Sequence, residues 1–342
     1  MIKNTLVIGD CHFGTKTNST QWLEQMTTFF QTQIIKSIEE HKFDKVIFLG
    51  DLFDIRYSTN TLVGVKVKDI IRNMVKEFPY VKFCFLSGNH DYYSPRKEDM
   101  HYNVYEMVFG DEFTLTYFNA NFYTESPFLD EDGDLFLPWF FTEDKELFAE
   151  TLEHYSHENI NRVFCHSDLS CWDSDMIKQM NGKPVYSGHI HTPWIDEEHN
   201  LYNLGAALPL NFNDVNDNRY IYWLEGNEIK EKIKNITTPK FLRYFNDKIF
   251  ELNEPFQNCF VQLYIDKKYI NKAEYIERIK ELKVSNPSIP IRVVTIDEET
   301  MDLNNIGIDM NQDIKKYITS NIPENLYGKY EIIKSKVEGK NY

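Results

Sequence analysis

The sequence predicts a layered α/β sandwich, and two observations predict it. Short apolar runs rich in β-branched and aromatic residues recur through the first two thirds of the chain, and amphipathic helical patterns separate several of them. Polar motifs follow the ends of these runs, the arrangement expected when strands of an open sheet deliver side chains to one crevice.

The first expected strand is 5–8. Between it and the next, at 46–49, Trp22, Met26, Phe30, Ile34 and Ile38 recur at steps of four, so 20–41 reads as a helix with one buried face. That makes a crossover between parallel strands. A second helix is expected at 60–77 before a strand at 81–86. After a strand at 135–137 comes a helix at 142–157, with Glu143 and Asp144 at its dipole-positive end. Strands at 162–165, 185–186, 201–204 and 220–224 complete the set.

The alternation breaks near Thr237-Thr238-Pro239, which bounds a first domain at 1–239. A small α/β cap domain is expected at 240–302, with strands at 260–265 and 291–296 around a helix at 271–282, ending in an acid-rich, solvated connection at 297–302. Residues 303–342 read as a C-terminal helical segment in which Leu326, Tyr330, Ile333 and Val337 keep helical spacing among lysines. Such a segment either docks on its own domain or binds a partner.

Composition narrows the function. With 342 residues and 42% hydrophobic content, the chain buries a sizeable core. Its net charge of −16 excludes a protein that holds polyanions by surface charge alone, and all of the excess falls in 1–239. Five widely spaced cysteines without a CxxC pair indicate neither a disulfide framework nor a zinc ribbon, which suits a reducing compartment. The apolar run at the start is too short for a signal peptide, and no run approaches membrane-spanning length. A cytoplasmic location without membrane contact is expected.

Six motifs carry the chemistry. Gly9-Asp10-Cys11-His12, Gly50-Asp51-Leu52-Phe53-Asp54 and Gly88-Asn89-His90-Asp91 follow the first three strands. Cys165-His166, Gly188-His189-Ile190-His191 and Asn203-Leu204-Gly205 follow later ones. Carboxylates, imidazoles and an amide suit divalent metals of intermediate hardness better than calcium. Seven donors are too many for one ion with open positions; two ions sharing a carboxylate solve the count and suit phosphoryl displacement.

These motifs, in this order over about the first 205 residues, resemble the calcineurin-like metallophosphoesterase superfamily. The resemblance implies an α/β/β/α sandwich and two divalent ions, Mn2+ favoured, with Mg2+, Fe2+ or Zn2+ as alternatives. It would place Asp10, His12 and His191 on one ion and Asn89, His166 and His189 on the other, with Asp51 bridging. His90 would be the catalytic histidine, and Asp54 would either orient its imidazole or cap the following helix. The chain departs from the family in having Cys165-His166 where Gly-His is usual.

Within the superfamily, Gly50-Asp51-Leu52-Phe53-Asp54-Ile55-Arg56, Leu137-Pro138-Trp139, Cys165-His166-Ser167-Asp168-Leu169 and Tyr186-Ser187-Gly188-His189-Ile190-His191-Thr192 are similar to the nuclease subunits of SbcD-type double-strand-break repair complexes and to the phage recombination endonuclease subunit. Cellular members commonly carry a second histidine where this chain has Asp54. That likeness implies an exonuclease or endonuclease acting on DNA ends in recombination and repair, as a homodimer with an SMC-like ATPase partner; helix 60–77 is the candidate dimer contact. A stand-alone metallophosphodiesterase or protein phosphatase is the alternative, and a non-catalytic scaffold of the same fold the second. Residues 9–17 approach a P-loop, but Lys16 stands one residue late and Asp10 would repel phosphate. His154, His157 and His199 read as solvated surface, and Trp139 as an aromatic residue near the crevice.

Overall fold

Successive residues of the central strands enter different cores, and this period of two builds the layers. The computed structural model describes residues 3–54, 60–155, 157–215, 217–252 and 256–296. The connection expected at 297–302, the tail at 303–342 and the motif residues Ile55 and Arg56 lie outside the described residues. The chain divides into two compact units, one of residues 1–242 and 256–260, the other of 243–255 and 261–342.

The first unit holds two six-stranded sheets. One contains β1 (Asn4–Ile8), β2 (Lys45–Phe48), β3 (Lys82–Leu86), β4 (Ala120–Tyr123), β11 (Tyr220–Glu225) and β12 (Glu228–Lys234), in the order β12-β11-β1-β2-β3-β4. The other contains β5 (Phe128–Leu129), β6 (Asp134–Leu137), β7 (Arg162–Cys165), β8 (Val185–Ser187), β9 (Trp194–Asp196) and β10 (Leu201–Asn203), in the order β5-β6-β7-β8-β10-β9. β1 to β4 are parallel, as are β6, β7, β8 and β10, while the edge pairs are antiparallel.

Val7, Ile47, Leu49, Cys84 and Leu86 meet Phe136, Phe164 and Tyr186 in the core between the sheets. Their neighbours Leu6, Ile8, Val46, Phe48, Phe83 and Phe85 face the helices outside the first sheet, while Leu135, Leu137, Val163, Cys165 and Val185 face those outside the second. The result is the α/β/β/α sandwich the sequence predicts. A row of stacked rings runs through the inner core from exposed Phe128 at one end, Phe128–Tyr123–Phe136–Phe164–Tyr186–Tyr202, with neighbouring centroids 5.1, 4.4, 5.6, 5.3 and 5.1 Å apart.

The helix expected at 20–41 is three segments: an α-helix Thr20–Phe29, a π turn Phe30–Ile34 and an α-helix Ile35–His41. Steps of four outrun a period of 3.6, so apolar residues so spaced would drift off one face of a regular helix. The wider π turn absorbs the drift, and Trp22, Met26, Phe30, Ile34 and Ile38 all stay buried. The helix Thr61–Glu77 is capped by Asn60, whose Oδ1 accepts the Leu62 N–H. The helix expected at 142–157 starts later, at Lys145–His154, because the Asp144 side chain accepts the Glu146 and Leu147 N–H groups and separates it from a short helix at Phe140–Glu143. Strands β4, β5, β9 and β12, and a further strand at Lys240–Phe245, escaped the sequence reading. β12 is an edge strand dense in charge, Glu228-Ile229-Lys230-Glu231-Lys232-Ile233-Lys234, the usual defence of an open edge.

At the N-terminal ends of β2, β3, β6 and β7 lies a buried charge cluster. Lys45 Nζ stands 2.7 Å from Asp130, 3.1 Å from Asp132 and 2.5 Å from Asp134. Lys82 reaches Asp130 at 3.0 Å, and Arg162 grips Asp134 with two hydrogen bonds of 2.6 and 2.7 Å. Three carboxylates thus meet three cations, so the cluster itself adds nothing to the acidic excess of the first unit.

A third sheet, of β13 (Lys240–Phe245), β14 (Cys259–Asp266) and β15 (Ile291–Ile296), has β14 and β15 parallel across the helix Ala273–Ser285. Val261, Leu263 and Ile265 of β14 are buried, as are Tyr275 and Leu282 of the helix. Among the described residues no helix is long and apolar enough to cross a membrane.

Candidate metal centre

The six motifs follow the carboxyl ends of β1, β2, β3, β7, β8 and β10, and the structure brings the seven expected donors and His90 together there. Asp10, His12 and His191 form one cluster, Asp51, His166 and His189 a second, and His12, Asp51 and His90 a third; within each, the nearest donor atoms lie within 4.8 Å of one another. Asn89 joins the second cluster, its Oδ1 standing 3.1 Å from His166 Nε2 and 2.9 Å from His189 Nδ1. Asp51 Oδ2 is 3.7 Å from His12 Nε2 and 3.3 Å from His166 Nε2, so one carboxylate faces both sides.

Backbone geometry makes this convergence possible. His12, Asp51 and His189 have φ of 50°, 47° and 72°, in the left-handed region that side chains with a Cβ rarely enter. Strain of this kind, of order 1–3 kcal/mol per residue, persists where surrounding structure enforces it. Glycines give the donors room. A Cβ on Gly88 would stand 2.3 Å from Asp51 Oδ1, one on Gly50 2.6 Å from His166 Nδ1, and one on Gly188 2.2 Å from Asp10 Oδ1.

Hydrogen bonds to backbone fix the rings. The Leu49 carbonyl accepts a hydrogen bond from His166 Nδ1 at 2.8 Å, which leaves Nε2 toward Asn89 and Asp51. The His189 backbone N–H lies 3.1 Å from both Asp10 oxygens, and the His90 N–H donates to Asp51 Oδ1 at 2.7 Å. Asp54 meets the two expectations for it in a third way. Its backbone carbonyl, not its carboxylate, receives His90 Nδ1 at 2.6 Å, its Oδ1 lies 3.2 Å from His12 Nδ1, and the helix that follows is capped by Asn60.

The buried carboxylates favour positive charge beside them. Burial opposes protonation of His12, yet Asp54, Asp51 and Asp10 outweigh it and raise the imidazole to about 8. Burial is likewise overcome at His166, where Asp51 and Asp10 raise the ring to about 9. At Asp51 the neighbouring imidazoles, His166 foremost, overcome burial and hold the carboxyl well below the usual range. Burial and His166 push His189 down to about 4, and burial lowers His191, so both are neutral and ready to ligate. His12 Nε2 and His191 Nε2 face one another at 3.2 Å, as do His189 Nδ1 and His166 Nε2 at 3.2 Å. At that spacing each pair shares a proton, and a divalent ion that both rings can ligate would take the proton's place. The donor set therefore fits divalent metal.

Asp91 plays a part that the sequence reading passed over, although its motif was in view. Buried beneath the centre, it accepts the Gly88 N–H at 2.9 Å, the Phe53 N–H at 3.1 Å and the Tyr105 hydroxyl at 3.2 Å, tying the second motif loop to the third. Burial and the nearby Asp51 charge push its carboxyl up to about 7. Trp139, half-buried, follows β6; its backbone N–H donates to the Ser87 carbonyl at 3.1 Å and its ring packs on Phe140. His154, His157 and His199 are exposed, and His199 pairs with Asp196 at 2.7 Å.

No curated protein matches the chain. The sequence matches the calcineurin-like phosphoesterase family over residues 3–193, a stretch that includes all seven donors, His90 and Asp54. The chain therefore belongs to the calcineurin-like phosphoesterases, a family of metal-dependent phosphoester hydrolases.

Proposed function

We propose that the chain is a two-metal DNA nuclease subunit acting on DNA ends in recombination and double-strand-break repair, as a homodimer with an SMC-like ATPase partner. The observation that carries the dinuclear reading is the position of Asp51 between His12 and His166. Asp10, His12 and His191 would hold one ion and Asn89, His166 and His189 the other, with Asp51 shared. The mixed nitrogen and oxygen donors favour Mn2+. When bound, such a pair supplies Lewis acidity to the phosphoryl oxygens and lowers the pKa of the attacking water.

The chain's own residues supply the rest. His90 donates Nδ1–H to the Asp54 carbonyl, which fixes its tautomer and leaves Nε2 to exchange a proton at the leaving oxygen. Asp91 keeps the loop carrying Asn89 and His90 in register with the loop carrying Asp51. Trp139, beside the third motif, offers a ring on which a base can stack. The segments similar to SbcD-type nucleases and the separate α/β unit after residue 242 support DNA as the substrate. The net charge of −16 is compatible with it, because two divalent ions place positive charge where phosphate binds.

The test is cleavage of linear DNA and of a chromogenic phosphodiester by the purified chain with Mn2+, beside His90→Ala. Cleavage of both by the parent, and loss in the variant, supports the nuclease. Hydrolysis of the small ester alone favours the phosphodiesterase alternative, and no cleavage by either protein rejects catalysis. Removal of 309–342 should abolish co-purification with an SMC-like ATPase; unchanged co-purification rejects that partner assignment.

A further inference from the structure

Resting on the dinuclear reading above, we propose that Arg219 is a positioning residue for one of the two ions, the one assigned to Asp10, His12 and His191. Arg219 immediately precedes β11 and is the largest fully buried side chain of the chain's described residues. Its Nη1 donates to the backbone carbonyl of His191. Its Nη2 donates to Asp214 Oδ1 at 2.6 Å and lies 3.4 Å from Asp217 Oδ2. Asp214 is itself buried and accepts the Leu210 N–H at 2.6 Å and the Asn211 N–H at 3.0 Å. One guanidinium thus ties the 210–214 turn to the back of a ligand.

The same residue reaches a second ligand of that ion, Asp10, through Asn235 and the backbone of Ala207. The Arg219 carbonyl accepts the Asn235 N–H at 2.7 Å, and Asn235 Nδ2 donates to the Ala207 carbonyl at 2.8 Å. Ala207 N–H donates to the Asp10 carbonyl at 3.1 Å, and Ala206 N–H to the His191 carbonyl at 3.0 Å. The segment has no slack: a Cβ on Gly205 would stand 2.4 Å from the His191 carbonyl oxygen, and one on Gly9 1.8 Å from the Gly205 carbonyl oxygen. Asp10 and His191 are therefore held from behind by one buried network with Arg219 at its centre. Among the described residues, no hydrogen bond of Arg219 reaches Asn89, His166 or His189. A fork that grips a carbonyl and a carboxylate together is a role lysine cannot reproduce.

The full-length chain, stripped of metal, is titrated with Mn2+ by calorimetry, and the loaded protein is examined by electron paramagnetic resonance. The parent should take up two ions and show the signal of a spin-coupled pair. In Arg219→Met one ion should bind about 10–100-fold more weakly while the other keeps its affinity, so that isolated Mn2+ replaces the coupled signal at limiting metal. Arg219→Lys should fall between. Two ions bound at parent affinity in Arg219→Met, or equal weakening of both, overturns the positioning role and leaves the dinuclear reading standing. A parent that binds fewer than two ions overturns that reading and this inference with it. Should Arg219→Met fail to fold, Asp214→Asn carries the test: it keeps the guanidinium and the volume but removes its charged anchor. The same one-sided loss, smaller, is expected there; a symmetric loss or none overturns the inference.

Discussion

Adding one methyl group at Gly88 should damage the metal centre without removing a donor atom. The new Cβ would lie 2.3 Å from Asp51 Oδ1, 2.5 Å from the Asp51 nitrogen and 2.7 Å from His166 Cε1. Opening the first contact to van der Waals distance requires about 1 Å of movement, several times the roughly 0.2 Å tolerance of a metal–ligand bond. Backbone borders the site, so the overlap cannot be relieved by rotating one flexible side chain. The expected cost in the metal-free protein is about 1–3 kcal/mol, typical of overpacking. Because Asp51 faces both clusters, both ions should weaken, each by about 10–100-fold. Calorimetric titration of Gly88→Ala with Mn2+ measures the affinities, and thermal unfolding of the stripped protein measures the strain. Gly182→Ala is the control. Nothing lies within 4 Å of a Cβ there, although φ is +72°, so it should lose about 1–2 kcal/mol of stability to backbone strain and keep both ions. Two ions bound by Gly88→Ala at parent affinity would refute the steric argument.

Asp51→Asn should abolish hydrolysis and weaken both ions; loss of one alone contradicts its shared position. His90→Ala should lower kcat by about 10²–10⁴-fold while two ions still bind, and unchanged turnover would exclude it as the proton donor. Asp130 is held below the usual carboxylate range because Lys45 overcomes the effect of burial. A depressed folded-state pKa contributes stability above the unfolded value of about 3.9 and loses it as pH falls through the lower folded value, so the parent's Tm should drop below about pH 4. In Asp130→Asn that drop should be shallower and neutral stability lower; an identical pH profile would sink the assignment. Lys45→Ala should lose about 3–5 kcal/mol by stranding buried carboxylates. Millimolar Ca2+ should restore part of that loss, because Asp130, Asp132 and Asp134 lie close enough to ligate one ion; a Tm indifferent to Ca2+ would show that the cluster collapses instead.

The donors were legible because each follows a strand that announces itself by its apolar run, and a parallel sheet ends those strands on one side. Their conformations were not legible. Nothing in the letters around His12, Asp51 or His189 reveals a left-handed φ, which tertiary contacts impose against local preference. Nor could a sequence reading find that Asp54 acts on His90 through its carbonyl, since every residue has one. Lys45 with Asp130 and Asp134, and Arg219 with His191, are pairs set by strand register across long loops. The π turn at Phe30–Ile34 was foreshadowed: steps of four too regular for a period of 3.6 are its trace in the sequence.

The row of rings from Phe128 to Tyr202 passes from β5 and β4 of opposite sheets across β6, β7 and β8 to β10. Chromophores stacked at such separations couple their transition dipoles, so the near-ultraviolet circular dichroism of this chain reports the registry of its inner layer. That optical signature arises between the sheets rather than from the donor atoms at their ends. A variant that has lost metal but kept the signal has a damaged site on an intact sandwich, and one that has lost both has come apart, so the protein carries its own internal standard.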